Sequence, residues 1–175
     1  MHTAATKPEP TEFAPYYGKY VSLVPEGEIV ETLRRQMEDT LATLRSLPPE
    51  MGDFRYAPDK WSIKDLVGHI ADSERIFAYR ALRFARNDQN PLAGFEQEGY
   101  VDAARFDRLQ LSDLIDDLEI VRKATLGLFR SLDETAWSRR GVASENEVTV
   151  RALAHIIAGH ELHHMGVLRD RYLNA

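Results

Sequence analysis

Residues 149–168 read TVRALAHIIAGHELHHMGVL, and this stretch decides the fold. Leu153, Ile156, Ile157, His160, His164, Val167 and Leu168 recur at spacings of three and four, the period of one face of an α-helix. Thr149 precedes them as an N-cap, whose hydroxyl accepts a free backbone N–H of the first turn. A helix with one apolar stripe has to bury it, and the simplest partners are other helices.

That stripe carries two histidines, and a buried imidazole is costly unless its ring nitrogens find partners. Residues four apart lie nearly above one another, so His160 and His164 share the buried face, and two imidazoles at this spacing can converge on one ion. Spacing alone leaves two possibilities open: metal ligands, or hydrogen-bonded core residues. A third donor is available in His69, at the edge of the apolar stripe of an earlier helix. Three histidines with a position left open form the donor set of catalytic rather than structural zinc. The others are placed less well. His155 lies about 140° around the helix from His160, and His163 about 60° away, so His163 is the weaker alternative ligand or a neighbour of the site. His2 lies in the N-terminal tail.

Working outward, three more segments have helical periodicity. Val30, Leu33, Met37, Leu41, Leu44 and Leu47 form one stripe, ended by Pro48 and Pro49. A second helix opens with Ser62 and Asp65 spaced as a capping box. Its stripe runs through Ile63, Leu66, Val67, Ile70, Glu74, Phe77 and Ala81, and Asn90-Pro91 is its natural stop. A third spans about 111–132, with Leu111, Leu114, Leu118, Val121, Thr125, Leu128 and Leu132 on one side. Residues 91–109 read as a long connection with one helical turn. Residues 133–148, with Trp137, Gly141 and Ser144, read as a polar loop; any strand would hide there or in the arm. Prolines at 8, 10, 15 and 25 around Tyr16, Tyr17 and Tyr20 forbid a continuous helix. Residues 1–25 are therefore expected to be an extended arm whose aromatics pack outside the core, and 26–175 the domain. The expected fold is all-α: a four-helix bundle with a long crossover connection and an irregular N-terminal arm.

Composition narrows the chemistry. A chain of 175 residues suits one domain with a real core. With no cysteine, disulfides, thiolate metal sites and cysteine nucleophiles are excluded, so a metal would be held by nitrogen and oxygen and any thiol would come from a co-substrate. A net charge of -6 argues against nucleic acid as a general partner. No run approaches the ~18 apolar residues of a membrane span, and the N-terminus lacks the pattern of a secretory signal; a cytoplasmic protein is expected. Arg80, Arg83 and Arg86 are expected to form a solvated face near a helix C-terminus, with an anion site as the minor alternative.

Two short motifs overlap the last helix. His160-Glu161-Leu162-His163-His164 matches the H-E-x-x-H of zinc peptidases, but no histidine follows it to serve as the downstream ligand. Glu161 and His164 form half of a di-iron carboxylate motif whose second copy is absent. The run KWSIKDLVGHIADSER at 60–75, together with Thr149 through Gly166, instead resembles the DinB-like family, and the resemblance extends from about residue 28 onward. It implies an up-down-down-up bundle, often a homodimer, that binds one divalent metal ion, nickel or zinc, through one histidine on the second helix and two on the last. By position these are His69, His160 and His164.

The resemblance implies less about activity. Relatives include S-transferases that use bacillithiol or mycothiol and a mycothiol-dependent maleylpyruvate isomerase, and the family name implies no contact with DNA. The leading expectation is a metal-dependent enzyme on a small-molecule substrate, a transferase using a low-molecular-weight thiol. The alternatives are a metal-dependent hydrolase with Glu161 as base, or a non-catalytic metal-binding stress-response protein. Asp72 is expected to orient the His69 imidazole or to face solvent. Glu74 is expected to hold Arg75 or a neighbouring helix, or else to act as a buried base.

Overall fold

The computed structural model describes residues 6–174; His2 lies outside them. Four long helices form the body: α2 (Ile29–Arg45), α3 (Ile63–Ala85), α5 (Leu111–Arg130) and α7 (Val150–Val167), the last continuing as a π-helical turn, Leu168–Leu173. Shorter elements are α1 (Gly18–Val21), α4 (Gln97–Ala104), α6 (Glu134–Ser138) and the hairpin β1 (Arg140–Ala143) with β2 (Asn146–Thr149). Both expected N-terminal signals operate. Ser62 Oγ accepts from the Asp65 N–H while Asp65 Oδ2 accepts from the Ser62 N–H. Thr149 Oγ1 accepts from the Ala152 N–H.

The core is two apolar clusters separated by a polar layer. On α2, Ile29 and Leu33 belong to the first cluster and Leu41 and Leu44 to the second, with Gln36 and Thr40 between. On α7, residues from Val150 to Ala158 join the first and Met165 the second, with His160, Glu161 and His164 between. α3 and α5 run through the clusters in the opposite order, with His69, Ser73 and Glu74 on α3 and Arg122 and Thr125 on α5 at the crossing. Thus α2 and α7 point one way, α3 and α5 the other. The topology is up-down-down-up.

This topology requires the crossover. α3 and α5 are consecutive long helices that run the same way, so residues 86–110 must travel back along the bundle, a distance of about 34 Å for a helix the length of α3. That connection holds α4 and a 3₁₀ turn, Phe106–Arg108, more helix than the single turn expected. α3 and α2 each pack on both α5 and α7, so α2 lies diagonal to α3.

Three expectations are corrected. The arm is irregular but not extended: 3₁₀ turns at Pro10–Glu12 and Pro15–Tyr17 lead into α1. Each turn starts on a proline, which cannot continue a helix but suits its first position. Tyr16 is exposed as expected, whereas Tyr20 is buried against the core. The arginine run is not one solvated face, because Arg80 is buried and its Nη2 donates to Ala93 O at 3.0 Å and Ser144 Oγ at 3.1 Å. The polar loop contains a hairpin closed by Ser144 and Glu145, both with positive φ (50° and 64°). Among the described residues no helix is long and apolar enough to cross a membrane.

Candidate metal centre

The polar layer brings the three sequence-selected histidines together. α3 supplies His69; α7, packed antiparallel beside it, supplies His160 and His164. His160 Nε2 lies 3.1 Å from His69 Nε2 and 3.1 Å from His164 Nε2. One ring nitrogen from each histidine falls within 4.8 Å of the others. All three are shielded, with exposures of 2%, 5% and 9% for His69, His160 and His164. Trp61 covers His69 at 4.7 Å between ring centroids, and Tyr20 packs edge-on against His160 at 5.3 Å.

Burial holds these imidazoles neutral. Desolvation lowers His69 to about 4. Desolvation, reinforced by the neighbouring histidines, lowers His164 to about 3 and puts His160 well below its ordinary value. A neutral imidazole offers a lone pair, which a cation requires. The two 3.1 Å spacings also fit. Two nitrogens each about 2.1 Å from one ion are about 3.0 Å apart at a right angle and about 3.4 Å apart at the tetrahedral angle. Without a cation, one lone pair or one proton on His160 Nε2 has to serve two neighbours at once.

The depressed pKa values also fix a pH dependence. The unfolded chain binds protons on these histidines below about pH 6.5, whereas the folded chain resists until well below that. Stability of the metal-free protein should therefore be complete above about pH 7 and fall as the pH drops toward about 4. Thermal melts in chelator at about pH 5 and 7.5 would show it as a lower midpoint in acid; equal midpoints would mean the rings are not buried neutral.

Other candidates fall elsewhere. His155 Nδ1 contacts Arg151 O at 3.0 Å, one turn back on its own helix. His163 is only half-buried and packs its ring near Tyr20 and His164. Asp72 binds Arg75, which also reaches Asp117 on α5. The side chain beside His69 is Ser73, whose Oγ lies 3.5 Å from Nδ1, at the limit of hydrogen bonding.

Glu74 and Glu161 meet on a residue that sequence reasoning missed. Arg122 Nε and Nη2 donate to the two Glu74 carboxylate oxygens, both at 2.8 Å, and Nη2 also donates to Glu161 Oε2 at 2.8 Å. Nη1 donates to Leu33 O at 3.0 Å. One guanidinium thus ties α5 to α2, α3 and α7, at 1% exposure. The available signal was its register: Arg122 stands four residues after Leu118 and three before Thr125, on the buried face of α5.

Beside His160 lies a cavity of about 300 Å³ lined by Tyr16, Tyr17, Tyr20, Ser73, Phe77, Phe95, Glu96 and Gln97. Its one lining carboxylate, Glu96, caps α4 by accepting from the N–H groups of Glu98 and Gly99.

The sequence model of the DinB superfamily matches residues 32–168, from α2 to the end of α7. The chain belongs to the DinB superfamily. A DinB-superfamily match places all three histidines inside the shared region. A protein of Oceanobacillus iheyensis whose name provisionally makes it a metal-dependent hydrolase is 29% identical over 143 residues, spanning 80% of this chain and 79% of that one. Among solved structures, YfiT from Bacillus subtilis, described as a probable metal-dependent hydrolase with an unusual four-helix bundle topology, superposes with a TM-score of 0.71 at 13% identity, covering 97% of this chain and 93% of YfiT. A mycothiol-dependent maleylpyruvate isomerase superposes with a TM-score of 0.65 at 14% identity, covering 79% of this chain and 58% of that one. At these identities the structural likenesses establish the four-helix-bundle fold alone.

Proposed function

We propose that this DinB protein is a metal-dependent enzyme that holds one divalent ion, zinc or nickel, between His69, His160 and His164, and transfers a low-molecular-weight thiol to a small electrophile. The observation that carries this reading is the convergence of three buried, neutral imidazoles at the edge of a cavity. A divalent ion held there would lower the pKa of a bound thiol or water, supplying a nucleophile at neutral pH.

The chain's own groups favour a thiol over water. A hydrolase of the H-E-x-x-H kind needs a carboxylate free to take a proton from water. Glu161 accepts from Arg122 and Glu96 caps α4, so neither is free. A thiol ionises far more readily than water and has less need of such a base. The chain has no cysteine of its own to compete for the ion or the electrophile. In the transfer, the thiol sulfur bonds to the electrophilic carbon, the leaving group departs with its electron pair, and the thiol proton passes to solvent. A homodimer, which sedimentation would measure, is the expected assembly.

The test uses metal-loaded, untagged protein with 1-chloro-2,4-dinitrobenzene and a panel of thiols: glutathione, bacillithiol, mycothiol and cysteine. At least one thiol should be conjugated well above background, and His160→Ala should abolish the gain. Hydrolysis of 4-nitrophenyl acetate with no thiol conjugation would favour the hydrolase; neither activity with metal bound would leave a binding protein.

A further inference from the structure

The cavity beside His160 is walled by aromatic rings, and one wall comes from the N-terminal arm. Tyr16, Tyr17 and Tyr20 line it together with Phe77 of α3 and Phe95 of the crossover. Tyr17 meets Phe77 at 6.0 Å between centroids and Phe77 meets Phe95 at 6.4 Å, both edge-on. Tyr16 also meets Tyr17 and Tyr20 edge-on. Lys19 Nζ lies over the Tyr16 and Tyr20 rings at 4.0 and 4.8 Å, and the Arg80 guanidinium over the Phe77 and Phe95 rings at 5.8 and 5.9 Å; a cation over one face leaves the opposite face of each ring. Ser73 and Gln97 add hydrogen-bonding groups to the lining. A volume of about 300 Å³ is at the lower end for small-molecule sites.

The arm is seated firmly enough to be a wall. A Cβ on Gly159 would fall 2.0 Å from Tyr20 O and 2.4 Å from Tyr20 C, so the backbone of α1 lies directly on α7 one residue before His160. Only glycine permits that approach. Upstream, Glu12 accepts from Thr149 Oγ1 at 2.8 Å and pairs with Arg151; on either side of Tyr20, Phe13, Val21 and Val24 are buried in the first apolar cluster. These residues precede the family-matched segment, which starts at 32.

We infer that this cavity binds a small planar, π-conjugated molecule, and that the arm tyrosines with Phe77 and Phe95 select it. A flat ring offers its faces and edges to the five rings of the lining, whereas a puckered aliphatic ring of the same size offers only apolar surface. Calling this molecule the electrophilic substrate rests on the proposed function; the binding site itself rests on the geometry.

Benzyl alcohol and cyclohexylmethanol test it, because both are neutral and alike in size. Burial of apolar surface alone ranks the more apolar cyclohexylmethanol first; ring recognition ranks benzyl alcohol first. NMR shift titrations of the purified full-length protein should give benzyl alcohol a Kd about fivefold lower, with shifts centred on Tyr16, Tyr17, Tyr20, Phe77 and Phe95. Phe95→Leu replaces a half-buried ring with apolar bulk and should remove the preference without unfolding the chain. Equal or reversed ranking, shifts centred elsewhere, or binding of neither probe would overturn the inference. Metal content of the same sample separates the two ideas. Benzyl alcohol preferred without bound metal keeps the site and removes the enzyme reading; metal without preference does the reverse.

Discussion

Replacing Arg122 with methionine should destabilise the fold by about 3–5 kcal/mol. In a domain of this size, that corresponds to a drop in melting temperature on the order of 10 °C. The cause lies in what is left behind. Glu74 and Glu161, each no more than 3% exposed, now share one guanidinium. Without it two carboxylates sit together in the core with no cation to pair them, and Leu33 O loses the guanidinium N–H it accepts beside its helix bond. Lysine would be a poor substitute, since one ammonium cannot reproduce the fork that grips Glu74 bidentately while reaching Glu161. Removing both carboxylates as well, in Arg122→Met, Glu74→Leu, Glu161→Leu, should recover most of the loss, because a buried ionic cluster is seldom worth more than well-packed apolar groups. Urea unfolding of the four proteins measures it. A loss under about 1 kcal/mol in the single variant would place the cluster with surface ion pairs in weight.

The bundle and its histidines were legible in sequence because their signals are local. Capping at Ser62 and Thr149, the four stripes, and the spacing from His160 to His164 each lie within one helix. Contacts between elements were harder to read. Arg122 has the register of a core residue but the chemistry of a surface one, and its two carboxylate partners come from helices 39 and 48 residues away in sequence. Asp72 and Ser73 differ by one residue, or about 100° of helix rotation, which was enough to point to the wrong neighbour for His69. The hairpin was hidden because its two-residue turn needs positive φ at both positions, usually signalled by Asn-Gly, and here Ser144-Glu145 adopts it. The arm misled in the opposite direction. Its prolines rule out one helix yet start two short turns that lead into α1, and it is the glycine at 159 that lets α1 reach the site.

His160→Ala should cost the protein most of its metal, while Glu161→Gln, one residue away, should keep it. His160 Nε2 is the nitrogen within 3.1 Å of both others, so its loss removes the centre of the cluster and leaves two histidines on two different helices. Glu161 points away, toward Arg122, and an amide oxygen in its place can still accept from the guanidinium. Metal content of protein purified without an immobilised-metal column reads the difference directly, and stability reads it again. An ion that binds only the native state stabilises it by about 4 kcal/mol when free metal is a thousandfold above Kd, a shift on the order of 10 °C. Chelator should therefore lower the melting temperature of the parent and of Glu161→Gln and leave that of His160→Ala unmoved. The far-UV helical signal at room temperature should survive in all three, since neither apolar cluster includes a metal-site histidine. Equal metal loss from the two substitutions would put a carboxylate in the coordination. If none of the proteins carries metal and chelator moves nothing, the three imidazoles are buried polar residues, and the proposal of a metal-dependent enzyme fails with them.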